Sequence, residues 1–241
     1  MNIYLPYRLI FIVGLLFFLL CARGQAQNSS EESYCESFPF NCSMVTNFYQ
    51  QYKPEIDGVA QRLTVDPAFL LAIVSPEIAN FNIIQNELEY RTVEVFYVNL
   101  GDDYANFSIG YFQMKPIFAK QIEREIQNRK GLTIYRSEFD YPDKDELEVR
   151  RARVKRLNDV KWQMAYLEVF FKIMQIKHKD VIFKNSREKL AFYAAAYNRG
   201  YTHSEQEIRR WVGVRWFPNY GEAPSIAYAR VALELLELLK E

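Results

Sequence analysis

Histidine is scarce in this chain. His178 and His203 are the two present, and each sits among polar neighbours. Two such residues supply neither a serine-type triad nor a tetrahedral zinc shell, and surface or helix-end roles are expected for both. Glycine is sparse as well, with nine in 241 residues, and none of them forms a clustered, phosphate-cradling loop. Ser75-Pro76-Glu77 lacks the flanking glycines of a nucleophile elbow. Charge of one sign is also missing. The 30 basic side chains are balanced by 30 acidic ones, which excludes the basic surface that nucleic acid demands. No strand-like alternation, internal repeat or low-complexity segment is evident. No cofactor and no metal are expected.

The one long apolar run is at the N-terminus. Leu9 to Leu20 is apolar throughout, with Arg8 before it and Ala22-Arg-Gly24-Gln-Ala26 after it. A basic start, a short apolar core and small residues two apart predict a secretory signal peptide over 1–26. The run is shorter than the roughly 20 residues of a spanning helix, and an uncleaved anchor is the alternative. A periplasmic or secreted protein is therefore expected. Without Arg8 and Arg23, the remainder carries 28 basic and 30 acidic side chains. Only Cys35 and Cys42 remain of the three cysteines. In an exported chain these two predict a disulfide closing a small loop, within a polar tether over 27–42.

Residues 43–241 read as one all-α domain. Asp66-Pro67 is a helix start, an N-cap followed by proline at the first helical position. Ala68 to Val74 is apolar on every side and so belongs in the core. Pro76 must bend or end that helix, because it lacks the backbone N–H the next hydrogen bond needs. Its neighbour Glu77 would then be displaced into a cleft. Further helices are predicted over 87–100, 115–127, 162–176, 205–212 and 226–239, with another capped by Ser186. Residues 128–160 are densely charged with alternating sign. They predict a solvated helical insertion or lid that carries no chemistry and is dispensable to the fold.

Three short segments carry the chemical signal. Glu77 lies among Ile73, Val74, Pro76, Ile78 and Phe81. Burial there would raise its pKa and keep it protonated as a general acid; the alternative is a helix-end glutamate turned to solvent. Gly110-Tyr-Phe-Gln113-Met-Lys-Pro116 pairs a glycine that permits close backbone approach with an amide that both donates and accepts. The alternative is an ordinary turn before a helix. Ala195-Ala-Tyr197-Asn198-Arg-Gly200 ends a helix and offers a hydroxyl and an amide, or simply terminators.

In this order the three segments resemble the signatures of soluble lytic transglycosylases and goose-type lysozymes, within the lysozyme-like superfamily. The resemblance covers Glu77 to Gly200. It departs at Pro76, at Ile78 and at Lys115, where those families carry other residue types, and in the longer spacings between segments. It implies a lysozyme-like helical fold that cleaves peptidoglycan glycan strands between N-acetylmuramic acid and N-acetylglucosamine. Glu77 would act as single acid and base, Tyr197 would contact it, and Gly110, Tyr111, Gln113, Met114 and Asn198 would bind substrate. Hydrolysis would instead need a second carboxylate, about 6.5–9.5 Å away for inversion, for which Glu94, Asp102 and Asp103 are candidates. A chitin-like substrate would suit the same cleft. A non-catalytic glycan-binding or envelope-binding module is the alternative. A monomer is expected, with peptidoglycan and cell-envelope proteins as the partners.

Overall fold

Helices dominate the computed structural model, which describes residues 33–104, 107–217 and 226–241. The predicted signal segment and most of the predicted tether lie outside these residues. Tyr34–Glu241 forms one unit, and none of its described helices is long and apolar enough to cross a membrane. The all-α expectation holds, apart from one two-stranded antiparallel sheet. That sheet is β1 (Arg215–Phe217) and β2 (Ile226–Ala227), with Phe217 opposite Ile226.

The start of this unit is helical rather than an irregular tether. α1 (Tyr34–Ser37) and α2 (Pro39–Gln51) are joined by the Cys35–Cys42 disulfide, whose Cα atoms are 5.7 Å apart. Such a bond is characteristic of an oxidising, extracytoplasmic compartment. Buried Tyr34 fastens this end to the rest. Its N–H donates to Glu234 near the C-terminus (2.6 Å), and its hydroxyl accepts from the amide of Asn80 (3.1 Å).

α3 (Lys53–Leu63) leads to α4 (Pro67–Ala72), where Asp66 accepts from the Phe69 N–H at 2.9 Å as its N-cap. The expected break at Pro76 occurs. α4 stops, the chain turns at Ile73-Val74, and α5 (Ser75–Ala79) restarts with Pro76 in its first turn. The interruption frees carbonyls that the protein satisfies by other means. The Leu71 carbonyl accepts from Ser75 Oγ (3.0 Å), and that of Ile73 accepts from the Tyr228 hydroxyl (3.2 Å).

α6 (Ile83–Leu100) begins at the Asn82 cap, four residues earlier than the spacing suggested. α7 (Pro116–Asn128) follows the 110–113 loop, with its proline at the first position. The long helix α10 (Val160–Lys177) is largely buried, and α3 and α7 pack against it. α11 (Ser186–Arg199) is capped by Asn185 rather than Ser186. It packs on α12 (Glu205–Trp211) and α13 (Tyr228–Leu238), and Ala194 to Ala196 are fully buried.

The charged stretch 128–160 is not a solvated lid. It comprises a 3₁₀ turn (Lys130–Tyr135), α8 (Arg136–Phe139) and α9 (Glu146–Leu157), and α9 packs on α6, α7 and α10. Leu132, Phe139, Val154 and Leu157 enter the core, and Arg153 and Arg156 are buried with them. The Arg153 guanidinium forks onto Glu123 of α7 (2.5 and 2.9 Å) and donates to the Tyr97 hydroxyl of α6 (2.5 Å). Glu123 also accepts from the hydroxyls of Tyr141 (2.5 Å) and Tyr166 (2.6 Å). Arg156 donates to the carbonyls of Phe139 and Asp140 and lies over the rings of Tyr141 and Trp162. Alternating charge in sequence concealed which arginines face inward. Deleting the stretch would strip this network and part of the core.

Arg153→Ala leaves the Glu123 carboxylate buried without its cation. A loss of ~3–5 kcal/mol is expected, read as a lower urea midpoint at unchanged slope.

Candidate functional site

The Gly110–Gln113 loop is the structural centre of the site. Ile109 and Met114 pair antiparallel across it, N–H to carbonyl in both directions (2.9 and 3.0 Å), so that four residues must reverse the chain. Such a tight reversal needs left-handed backbone, supplied by Gly110 at φ 76° and by Gln113 at φ 47°. Three helices hold the loop by its main chain. The Asn86 amide oxygen on α6 accepts from the Gly110 N–H (2.7 Å), and that of Gln163 on α10 accepts from the Phe112 N–H (2.8 Å). The Tyr197 hydroxyl on α11 donates to the Phe112 carbonyl (2.6 Å).

This arrangement reassigns several expected site residues. Gly110 is buried and does not line the cavity described below; its close approach is to the protein itself. A Cβ there would lie 2.0 Å from Gln163 Nε2 and 2.7 Å from the Leu157 carbonyl. Tyr111 is turned away from the cavity, its ring 4.3 Å from that of Phe81 and 5.0 Å from that of Phe48. Gln113 and Met114 do line the cavity. The Gln113 amide nitrogen, however, is already donating to the Gly110 carbonyl (2.9 Å).

The cavity is about 750 Å³ and is bounded by α6, the loop, α7, the end of α11 and β1. Glu77 reaches it from α5, with Tyr197 and Asn198 on the opposite sequence segment. The three segments recognised in sequence therefore meet at one place. No described side chain donates a hydrogen bond to the Glu77 carboxyl. Burial pushes its pKa up to about 8, against a weaker opposing pull from the Lys115 ammonium. Tyr197 is close enough to feel the charge of Glu77, but its hydroxyl is committed to Phe112, so it does not hold the carboxyl as expected. Asn198 lines the cavity while its amide oxygen accepts from the Trp211 indole (2.9 Å).

None of the proposed second carboxylates lines this cavity. Glu94 pairs with Arg91 (3.2 Å), Asp102 pairs with Lys120, and Asp103 is exposed beyond the end of α6. Among the described residues the other carboxylate on the cavity wall is Glu89, which accepts from Gln85 (2.8 Å) and sits twelve residues after Glu77. The histidines sit at helix ends as expected, His178 as the C-cap of α10 and His203 just before the Ser204 cap of α12. His203 lines the cavity, its Nδ1 3.5 Å from Glu207. His178 is buried edge-on to Phe192, and burial lowers its pKa, assisted by the neighbouring Lys177 charge. No cluster of three or more His, Cys, Asp or Glu side chains among the described residues suits a metal ion.

Asn86, Gln163 and Glu89 had escaped notice in the sequence. Gln163 carried a faint signal, as an amide near the start of an otherwise apolar helix. Asn86 and Glu89 carried none, since both lie on a helix rich in exposed polar residues. Compared with models of protein families, with curated proteins and with solved structures, the chain matches none.

Two consequences are measurable. Gly110→Ala forces a side chain into left-handed backbone and against Gln163, with an expected loss of about 2–4 kcal/mol in denaturant unfolding. The second concerns pH. The unfolded chain releases the Glu77 proton near the ordinary 4.5 and the fold near 8, so ionisation opposes folding across that window. Stability must therefore fall as pH rises from about 4.5 to about 8. Glu77→Gln removes this fall, and denaturant unfolding at pH 4.5 and 8.5 should show the variant gaining on wild type at the higher pH.

Proposed function

We propose that this protein is a lysozyme-like enzyme that cleaves peptidoglycan glycan strands at the bond between N-acetylmuramic acid and N-acetylglucosamine, as a lytic transglycosylase. One observation carries the reading. Glu77 is a carboxyl with no hydrogen-bond donor among the described side chains and a pKa pushed up to about 8, opening onto a cavity large enough for sugar rings. Such a group is protonated at neutral pH and can act as general acid.

In the first step Glu77 gives its proton to the bridging oxygen while the C1–oxygen bond breaks. The substrate's own N-acetyl oxygen stabilises the cationic carbon. Glu77, now a carboxylate, takes the proton of the muramoyl 6-hydroxyl as its oxygen bonds to C1. A 1,6-anhydro end results and Glu77 is reprotonated, so one carboxyl suffices. The aromatic side chains Trp216 and Phe118 on the cavity wall suit sugar faces. Were water the acceptor, Glu89 is the carboxylate on the same wall that would serve as base.

A non-catalytic glycan-binding module is favoured by one observation: the Tyr197 hydroxyl donates to the Phe112 carbonyl rather than orienting Glu77. Isolated sacculi separate the two. Mass spectrometry of fragments released by the wild type should show products about 18 Da lighter than hydrolysis products. Glu77→Gln should reduce release by at least ~100-fold, and wild-type activity should decline above about pH 8 as the acid ionises. Release that is equal with both proteins would eliminate Glu77 as the acid. Sacculus binding without release by either protein would favour the binding module.

A further inference from the structure

The cavity wall holds a histidine that the reaction above does not use. His203 lies in the turn between Gly200, just past α11, and the Ser204 cap of α12, and its half-buried side chain lines the cavity. Its main chain is fixed. The Lys177 ammonium at the end of α10 donates to the carbonyls of Tyr201 and His203 (2.7 Å to the latter). The His203 N–H donates to the Gly200 carbonyl (3.3 Å).

Its ring is oriented as well. Nδ1 faces one oxygen of the Glu207 carboxylate at 3.5 Å. The other oxygen of that carboxylate accepts from the Ser204 hydroxyl (2.6 Å) and N–H (2.9 Å), which hold the Glu207 pKa down to about 2 and keep the group ionised. A carboxylate in that place favours the imidazole tautomer with its proton on Nδ1, so Nε2 keeps an unshared pair. No described group hydrogen-bonds to Nε2. This edge of the ring lies over Gly200, itself on the cavity wall. A Cβ at Gly200 would be 3.5 Å from His203 Cδ2 and 3.9 Å from Nε2.

We propose that His203 is a ligand-binding residue of this cavity, its Nε2 accepting a hydrogen bond from a hydroxyl or amide N–H of the bound glycan, with Glu207 as its positioning residue. The proposal rests on the glycan-cleaving reading above. It adds a polar contact from the turn after α11, where Glu77 and the 110–113 loop supply none.

The test uses Glu77→Gln protein, so that the ligand stays intact, and a tetrasaccharide of alternating N-acetylglucosamine and N-acetylmuramic acid as the probe. Long-range proton–nitrogen NMR spectra of the imidazole rings are simple here, because the chain has two histidines. Buried His178, which does not line the cavity, is the internal reference. On the alkaline side of histidine titration the free protein should show the His203 proton on Nδ1. Saturating tetrasaccharide should shift the His203 Nε2 resonance and leave His178 in place. His203→Asn keeps a polar group opposite Glu207 but removes Nε2, and should weaken calorimetric binding about tenfold, the worth of one hydrogen bond. His203→Gln, whose amide reaches the Nε2 position, should bind within about threefold of the parent. If the tetrasaccharide binds while the His203 resonances stay fixed, or while His203→Asn binds like the parent, the role of His203 is overturned and the glycan site stands. A proton on Nε2 in the free protein would overturn the acceptor role in the same way. No binding of the tetrasaccharide to Glu77→Gln protein would overturn the glycan reading, and this proposal with it.

Discussion

Three side chains from three helices hold four backbone residues in place, and the site depends on that clamp. Asn86, Gln163 and Tyr197 take the Gly110 N–H, the Phe112 N–H and the Phe112 carbonyl. Each bond contributes only about 1 kcal/mol net, but the groups are buried, and losing one partner strands the other at a larger cost. The clamp therefore acts as a spacer. It sets where α6, α10 and α11 stand relative to one another, and so where the cavity wall lies. It also presents Gln113 and Met114 to the cavity while Tyr111 and Phe112 anchor the loop against Phe48 of α2.

The protein treats its buried carboxylates in two different ways. Glu123 is met by Arg153 and two tyrosine hydroxyls, and Glu168 by Arg62 (2.6 Å) and the Tyr135 hydroxyl (2.9 Å). These anions have every donor that burial requires, and they tie distant helices together. Glu77 receives no donor from any described side chain. Its position follows from Pro76, which prevents α4 from continuing and turns the next short helix toward the cavity. A lone, undonated carboxyl destabilises the charged form, which is a poor structural device and a good proton donor.

Much of this was legible in the chain. The Asp66-Pro67 start and the break at Pro76 are local backbone constraints, and both occur where the sequence places them. The convergence of Glu77, the 110–116 segment and the 195–200 segment was legible as a resemblance. Their individual roles were not. Gly110 serves packing, Tyr111 faces the core, and Tyr197 supports the loop. Nothing in sequence separates a residue that touches a ligand from one that holds its neighbour, because both demand the same side chain. The charged 128–160 stretch misled for a related reason. Arg153 is indistinguishable from Arg151 by pattern, yet one is buried and the other half-exposed.

The sequence by itself determined the helical class, the helix break before Glu77 and the Cys35–Cys42 pairing, since each follows from neighbours a few residues apart. Only the tertiary structure decided that Glu89, rather than Glu94, Asp102 or Asp103, shares the cavity with Glu77. It alone decided that Arg153 is buried against Glu123. Those facts depend on how helices far apart in the chain rotate against a shared core, and side-chain volume and buried hydrogen bonds set that rotation rather than any local propensity.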